Sequence, residues 1–401
     1  MTDLKVYSAN ANAWLQSVAG DFGRAARTGL TEVQDLALGR RYQAAKFAAG
    51  YAGINWPTDF GGQGLSHIEK IAFETEENKF GVPNVYFGIS LGMPVPILMK
   101  YGSDADFVKE RVLKALKGEE IWCQLFSEPA GGSDLAGLRM KAEQEGNGWK
   151  LNGQKLWTSW AHYCDYGVIV ARTDPNAQKH KGLTYFWVDM KAPGVDVRPI
   201  KLAGGDSHVN EVFFDDVKLS DDHRMSPVGG GFAVAMNTLM IERYIATDSG
   251  GFGPHLDLFV SLAKDVKING KPAIEDGRIR SQIARNYAMR NGLDAITARA
   301  MMMLQAGMEA GPEGSLNKLV AVRSRQKLSE LAIDLQGPSA LAFDEHAPVK
   351  ENWQTSWINS PTGRIAGGAD EMLLNTIAEK ILGLPQDHRP DKGVPFNQIP
   401  A

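Results

Sequence analysis

The spacing of apolar residues changes twice along the chain, and this order of spacings restricts the fold more than any other feature. Up to about Gly118 the apolar residues recur at helical intervals between glycine-rich breaks. From Glu120 to about Leu219 short β-branched and aromatic runs replace them, and helical spacing returns after the three glycines at 229–231. At 401 residues the chain is also too long for one ordinary hydrophobic core. We therefore predict a multidomain α+β fold, with an N-terminal helical domain over residues 1–118, a middle β-barrel or β-sandwich domain over 119–225 and a C-terminal four-helix bundle over 226–401.

The same patterns predict individual elements. A hairpin is expected over Trp149–Trp157, because its Asn152-Gly153 pair is the strongest short turn signal between two strand-like runs. Further strands are expected over Tyr166–Ala171, Leu183–Asp189, Val195–Ile200 and Asn210–Leu219. Helices are expected over Val33–Ala49, Ile68–Lys79, Phe232–Ala246, Arg280–Ala310, Ser315–Gln336 and Ala369–Leu382, with another beginning near Ser103.

Composition argues against several classes of partner. The net charge of -4 provides no basic field for nucleic acid or anionic lipid, so neither is expected to bind. Only Cys123 and Cys164 are present and no signal peptide is recognised, which favours a reducing cytoplasm. The uncharged stretch Phe80–Met99 is long enough to span a membrane, but its prolines and glycines would break the helix. We expect a buried loop-and-helix segment there and no membrane partner.

Motifs for several other chemistries are missing from the sequence. The cysteines and histidines do not have the local spacing of metal ligands, so no metal site is expected. A Gly-x-Gly-x-x-Gly dinucleotide turn is also absent. Any nucleotide cofactor must therefore bind by means other than a Rossmann motif.

Two segments of the β region could contact a ligand. Leu125-Phe-Ser-Glu-Pro-Ala-Gly-Gly-Ser-Asp-Leu135 combines hydroxyls, a proline and two glycines, so its backbone amides could approach a planar or phosphorylated group closely. An ordinary turn at the end of a strand would account for the glycines equally well. In Trp157-Thr-Ser159 the aromatic ring could cover a flat ligand while a hydroxyl donates a hydrogen bond. A tryptophan in a β-domain core is the alternative.

Glu242 is the candidate for acid-base chemistry. It lies in the mostly apolar run Ala233–Ala246, where helical spacing puts it on one face with Ala235 and Leu239. Burial there would raise the pKa of the carboxyl group and suit it to accept a proton from carbon. The alternative is a helix turned so that Glu242 and Arg243 reach water, and for an isolated Glu-Arg pair that alternative is the more common case.

Taken together, these motifs resemble the acyl-CoA dehydrogenase family over nearly the whole chain. The resemblance implies the three-domain fold predicted above, and it implies FAD as cofactor. The segments that carry it are Gly53-Ile-Asn-Trp-Pro-Thr-Asp-Phe-Gly-Gly-Gln-Gly64, Ser127-Glu-Pro-Ala-Gly-Gly-Ser-Asp134, Asn152-Gly-Gln-Lys-Leu-Trp-Thr-Ser159, Leu335-Gln-Gly337, Gly367-Gly-Ala-Asp-Glu-Met372 and Ile377-Ala-Glu-Lys-Ile-Leu-Gly-Leu-Pro385.

The resemblance also implies roles for individual residues. Positions matched to flavin contacts are Leu125, Phe126, Ser127, Trp157 and Ser159, and Ser133 matches a position near the phosphates of the cofactor and of coenzyme A. Gln336 and Gly337 match a segment that reaches FAD in a neighbouring subunit, and Glu371 matches a position near the adenosine. The family's usual Arg-x-x-Phe-Gly run is absent, and Arg280 with Gln282 is the substitute by position.

Subfamilies differ in the position of the catalytic base. Most members have a glutamate where this chain has Gly367, whereas the isovaleryl and long-chain branches place it before an arginine on the first C-terminal helix. Glu242-Arg243 fits the second pattern, so the resemblance implies that Glu242 is the base and that Arg243 and Ser133 contact the substrate. Gly367 then supplies only its backbone N–H, directed at the thioester oxygen.

The expected reaction is the oxidation of an acyl-CoA to the 2,3-enoyl-CoA, with electrons passed to an electron-transferring flavoprotein. The resemblance is to bacterial homologues that act on bulky acyl groups, including steroid side chains, and either a homo-oligomer or a heterotetramer with a related subunit is expected. A non-catalytic subunit that completes FAD sites, or a reduced-flavin monooxygenase on the same fold, are the alternatives. Retention of Ser127, Trp157 and Glu242 disfavours the first, and the carboxylate base disfavours the second.

Overall fold

Helices with explicit N-terminal caps begin the chain in a computed structural model that describes residues 3–248, 256–305, 311–341 and 353–399. Side chains at 240–248, 301, 304, 305 and 341 are outside this description. Thr31 and Ser66 each form a capping box with the residue three positions later, and Asp104 accepts hydrogen bonds from the next turn. The helices are α1 (Leu4–Phe22), α2 (Glu32–Ala48), α3 (His67–Glu77), α4 (Val85–Gly92), α5 (Pro94–Tyr101) and α6 (Ala105–Leu116).

The uncharged stretch Phe80–Met99 forms two short helices instead of one spanning helix. Met93 separates α4 from α5, and Pro94 begins the second helix. Tyr86, Phe87, Val95, Ile97 and Leu98 are buried, which confirms the predicted buried loop-and-helix segment. Within the described ranges, the length and apolarity that a membrane crossing requires are not met by any helix.

The β region forms one mixed sheet of seven strands. Its strands are β1 (Trp122–Leu125), β2 (Lys141–Glu145), β3 (Gly148–Ser159), β4 (Tyr166–Arg172), β5 (Leu183–Asp189), β6 (Val195–Ile200) and β7 (Val209–Ser220). The order is β1-β4-β2-β3-β7-β6, with β5 paired to the other edge of β4. The four strands predicted after the hairpin are confirmed.

The predicted hairpin turn at Asn152-Gly153 is wrong. β3 is continuous through it, and the turn lies at Gly146-Asn147, where Glu145 of β2 pairs with Gly148 of β3. Two Asn-Gly pairs occur five residues apart in the sequence, and the earlier one lies at the hairpin turn. Asn152-Gly153 instead forms an irregularity in the pairing with β7, where the Asn152 side chain exchanges hydrogen bonds of 2.8 and 2.9 Å with Asp216.

Two apolar clusters pack on the sheet. One contains inward side chains of β2, β3, β5 and β7, and the other joins β1, β4 and β5 to α5, α6 and the start of α7 (Gly231–Asp248). Gly231 allows this last contact, because a Cβ there would lie 2.6 Å from the Thr184 Cα atom. The C-terminal segment after residue 390 returns to the same unit, where the Arg172 guanidinium lies 3.4 Å from the centre of the Phe396 ring.

The remaining helices form a second compact unit, which covers residues 202–206 and 242–389. Its core contains Leu256, Phe259, Leu328, Ala332 and Trp353. The predicted helices over Arg280–Ala310, Ser315–Gln336 and Ala369–Leu382 are confirmed in place, although residues 306–310 lie outside the described ranges. The helices over Leu256–Asp265 and Trp353–Gly363 were not predicted. The helices are α8 (Leu256–Asp265), α9 (Gly277–Gln305), α10 (Gly314–Gln336), α11 (Trp353–Gly363) and α12 (Asp370–Thr376), and α12 continues as a π-helical turn over Ile377–Ile381. The domain boundaries at 118/119 and 225/226 stay a prediction.

Candidate active site

A bulge near the end of β3 exposes Trp157. The pairing with β7 shifts between Lys155 and Thr158, and Trp157 adopts a left-handed φ of 61°. Such a conformation is costly for a bulky side chain, and bulges of this kind commonly redirect a side chain next to a functional site. The ring is 54% exposed, although tryptophan is usually well buried. The alternative that Trp157 belongs to the core is therefore wrong.

The 125–135 segment joins β3 at this bulge. Leu125 and Phe126 are buried, and Ser127 follows them at a half-buried position. The Leu156 N–H, released from the strand ladder by the bulge, donates to the Ser127 carbonyl at 2.8 Å. A Cβ on Gly132 would lie 3.4 Å from Ser127 Oγ, so the glycine stretch passes close to that hydroxyl. The structure thus brings the Leu125–Ser127 stretch and Trp157 together, whereas Ser133 lies in the exposed part of the loop.

Buried polar atoms without partners lie near these residues. Ser159 is half-buried, and the hydroxyl of Thr158 beside it has no hydrogen-bond partner in the described part of the chain. Gln124 Oε1, near the end of β1, is also buried and has no hydrogen-bond partner among the described residues. An uncovered aromatic ring, a glycine-lined backbone and unpaired polar atoms are a suitable environment for a planar heteroaromatic ligand.

Sequence reasoning missed Lys155, which lies two residues before Trp157. Its side chain is fully buried, in a strand where Trp149 and Leu151 also face inward. The signal was the alternation of β3, because positions 149, 151 and 155 share one face. Lys155 donates to the carbonyl oxygen of Phe126, in the segment just described.

The Gly367-Gly368 loop in the second unit is held from both sides. Both glycines have left-handed φ angles, 68° and 102°. Lys318 of α10, only 1% exposed, donates to the Gly368 carbonyl at 2.6 Å. After the loop, buried Asp370 is bound by two arginines, whose guanidinium nitrogens lie 2.7–2.9 Å from one carboxylate oxygen. The backbone of Gly367 is therefore tightly positioned.

The charges around Asp370 determine its ionisation. Burial acts to raise the pKa of this carboxyl group, but hydrogen bonds from Arg323 and Arg364 outweigh it and leave the pKa below its usual value. Asp370 is therefore ionised at neutral pH. Small changes of pH near neutrality therefore leave the Asp370 carboxylate ionised and bound to its two arginines.

The other predicted residues are distributed over the helices. Glu242 and Arg243 lie in α7, where Ala235 is buried and Leu239 packs on the core, but their own side chains lie outside the described residues. Arg280 is exposed and Gln282 half-buried at the start of α9, and Glu371 is exposed in α12. Gln336 ends α10 and is followed by Gly337 with φ 58°.

The chain matches a known family in all three parts. Residues 32–120, 123–217 and 229–382 match, respectively, the acyl-CoA dehydrogenase N-terminal domain, middle domain and C-terminal domain. The chain belongs to the acyl-CoA dehydrogenase family. This is a family of flavin-dependent oxidoreductases, and the described arrangement around Trp157 fits a flavin.

Two named relatives are similar over most of this chain. The acyl-CoA dehydrogenase FadE34 of Mycobacterium tuberculosis is 34% identical over 86% of this chain, and the match covers 46% of FadE34. The acyl-CoA dehydrogenase IpdE1 of Mycolicibacterium smegmatis is 33% identical over 96% of this chain and 99% of IpdE1. The chain thus spans under half of the first relative and nearly all of the second.

Solved structures share the fold of this chain. The Tcur3481-Tcur3483 steroid ACAD superposes with a TM-score of 0.81 at 24% identity, covering 96% of this chain and 98% of that one. A chain of the ChsE4-ChsE5 complex from Mycobacterium tuberculosis gives a TM-score of 0.79 at 22% identity, covering 96% and 99%. The predicted fold class is confirmed.

Proposed function

We propose that this protein is an FAD-dependent acyl-CoA dehydrogenase that converts an acyl-CoA thioester into its 2,3-enoyl-CoA. The observation that carries the proposal is the exposed Trp157 at the β3 bulge, bonded through its neighbour Leu156 to the Ser127 carbonyl. In this assignment Leu125, Phe126, Ser127, Ser159 and Trp157 contact the flavin. The further FAD contacts proposed for Ser133, Arg280, Gln282, Gln336, Gly337 and Glu371 rest on the family resemblance.

The chemistry divides between two groups of this chain. Glu242 removes the α-proton of the acyl group as general base, and the Gly367 N–H donates a hydrogen bond to the thioester oxygen as negative charge develops there. When bound, FAD would supply the two-electron acceptor for the β-hydrogen, which leaves the substrate with its electron pair. Loss of one proton and one hydride leaves the 2,3 double bond, so atoms and electrons balance. Ser133 and Arg243 are proposed to hold the coenzyme A portion of the substrate.

The proposed electron acceptor is an electron-transferring flavoprotein, and the proposed location is the cytoplasm. Cys123 and Cys164 are both free thiols, which suits a reducing compartment.

One experiment tests the function directly. We expect the purified protein to be yellow, to release FAD on denaturation, and to lose its flavin absorbance when acyl-CoAs are added without oxygen. A butanoyl thioester that cannot form a 2,3 double bond, such as one fully substituted at the α-carbon, is the matched control and should leave the flavin oxidised. Colourless protein that cannot be reconstituted with FAD, alone or with a co-expressed partner, would exclude the dehydrogenase.

The same panel of thioesters addresses the acyl group. With Gly367 in place of the usual glutamate, the substrate should have more room near its α and β carbons. We therefore expect a higher kcat/KM for branched, long or polycyclic acyl-CoAs than for butyryl-CoA, in line with the steroid in the name of one structural neighbour. A clear preference for butyryl-CoA contradicts this expectation.

The FAD site is proposed to be shared between subunits, either in a homo-oligomer or in a heterotetramer with a related subunit. The second unit exposes large apolar side chains that a lone chain would leave in water, among them Tyr287, Met302, Trp357, Ile365 and Leu382. A complex in the name of one structural neighbour supports the heteromeric case. Light scattering should detect a dimer or tetramer. The fraction of the protein that holds FAD should fall when dilution dissociates the assembly into monomers. A monomer with full FAD occupancy would refute the shared site.

A further inference from the structure

A buried cation lies under the segment that is proposed to contact FAD. Lys155 Nζ donates to the Phe126 carbonyl at 3.1 Å, to Glu128 Oε1 at 2.8 Å and to the Val170 carbonyl at 2.8 Å. An ammonium group has three N–H donors, and all three have acceptors here. Lys155 thereby connects β3, β4 and the chain that leaves β1.

Stability alone does not explain a charge in this position. Burial lowers the pKa of Lys155, and the ion pair with Glu128 opposes that shift. The desolvation of two charges consumes most of the attraction between them, and apolar residues of similar volume often stabilise a core equally well. The effect of Lys155 is therefore sought in the backbone positions that its hydrogen bonds fix.

Glu128 extends the connection along the 125–135 segment and beyond it. Its carboxylate accepts the backbone N–H groups of Arg139 at 2.6 Å and Met140 at 3.1 Å. Its own backbone exchanges two hydrogen bonds of 3.0 Å with Gly131, which closes the intervening turn. The single pair Lys155–Glu128 thus constrains both ends of the loop that contains Ser133.

Consecutive residues of β3 hold consecutive residues of this loop. Lys155 binds the Phe126 carbonyl through its side chain, and Leu156 binds the Ser127 carbonyl through its N–H. The next residue is Trp157. The distance between the loop backbone and the exposed ring therefore depends on these two bonds.

We propose that Lys155 is a positioning residue, which fixes the backbone of Phe126–Glu128 relative to Trp157 and so sets the affinity for FAD. The inference about FAD rests on the proposed function, whereas the positioning of the loop does not. Because the Lys155 side chain acts from the buried face of β3, it need not contact the cofactor or the substrate.

The test compares Lys155→Met, the double variant Lys155→Met/Glu128→Gln and the control Lys150→Met. The single variant leaves Glu128 buried with its cation removed and should melt at a markedly lower temperature. The double variant removes both charges and should recover much of the lost melting temperature. A change in loop mobility that persists in the double variant therefore does not come from an unpaired buried charge. Lys150 lies on the same strand but makes only long surface ion pairs, 3.6 and 4.0 Å, so its replacement should behave like wild type.

Two measurements separate this inference from the proposed function. Amide hydrogen exchange of the flavin-free protein should be about tenfold faster over residues 126–140 in the double variant, because the Phe126 carbonyl and the side chain at position 128 have lost the ammonium group that anchors them and the loop should open more often. The FAD dissociation constant, measured by fluorescence titration, should rise about tenfold or more, as expected for the loss of preorganisation. Unchanged exchange in the double variant overturns the positioning role, and wild-type FAD affinity overturns its link to the cofactor. If the wild-type protein does not bind FAD, the proposed function fails while exchange still decides the positioning role.

Discussion

Glu242→Gln is expected to keep its fold and its FAD but to reduce the flavin about 10²–10⁴-fold more slowly with an acyl-CoA. The amide is nearly isosteric with the carboxylate, so the packing of α7 should be preserved. The substitution removes the only group proposed to accept the α-proton, and the proposed role of Glu242 requires a site without water that could replace it. The effect should therefore lie near the upper end of that range. Anaerobic stopped-flow absorbance of the flavin measures it.

A matched control is Glu330→Gln, which changes a partly exposed carboxylate on α10 that pairs with Lys327. It should leave the rate of flavin reduction unchanged. Acyl-CoA binding, followed by perturbation of the flavin spectrum, should remain in Glu242→Gln because the residues proposed to hold coenzyme A, Ser133 and Arg243, are unchanged. Flavin reduction by Glu242→Gln at close to the wild-type rate would disprove the assignment and require another base.

The base should also be partly transferable. In Glu242→Gly/Gly367→Glu the carboxylate moves to the position that the family resemblance implies for the base of most members, and some activity should return. Full recovery is not expected, since position 367 has a φ of 68° and a side chain there costs about 1–2 kcal/mol.

Lys318→Met should lower kcat by about 10²-fold while leaving the FAD content unchanged. The methionine side chain can fill much of the same space. It lacks the Lys318 Nζ donor, which lies 2.6 Å from the Gly368 carbonyl oxygen in the wild-type protein. An unsatisfied carbonyl costs at most about 1–3 kcal/mol at this half-buried position, and the loop can relieve this cost by moving. A shift of about 1 Å in the Gly367 N–H would weaken the hydrogen bond that it is proposed to donate to the thioester oxygen in the transition state.

Lys327→Met provides the comparison for this prediction, because it is the same substitution on the same helix at an exposed site. We expect it to have wild-type kcat and stability. The carbonyl stretching frequency of a bound acyl-CoA analogue should rise toward its value in water for Lys318→Met only, since it reports polarisation by the N–H. Equal kcat for the two variants would show that Lys318 does not position Gly367.

Local patterns were sufficient for the order of elements. The β-branched and aromatic runs Leu183–Asp189 and Val195–Ile200 predicted strands with the same bounds as the structure, because such runs and the turn residues between them are local properties. The capping residues Thr31, Ser66 and Asp104 likewise mark helix starts within one turn of sequence.

Local signals failed where two of them competed. The pairs Asn147-Gly148 and Asn152-Gly153 both suit a tight turn, and the register of β3 against β2 and β7 decides that the chain turns at Gly146-Asn147. The second pair forms an irregularity because β3 must stay paired on both edges across it. Neighbouring residues alone do not encode this constraint.

The succession of helices, strands and helices, the glycine-rich loop and the family could all be predicted from the residues, because each depends on residues close together in the chain. Three features required the folded chain: Trp157 is exposed at a bulge, Lys155 lies buried beneath the 125–135 loop, and Lys318 donates to the Gly368 carbonyl. Lys155 is 29 residues from Phe126, and Lys318 is 50 residues from Gly368. A lysine's burial and its choice of partner follow from which distant carbonyls the fold brings within hydrogen-bond reach, and no local pattern encodes that distance.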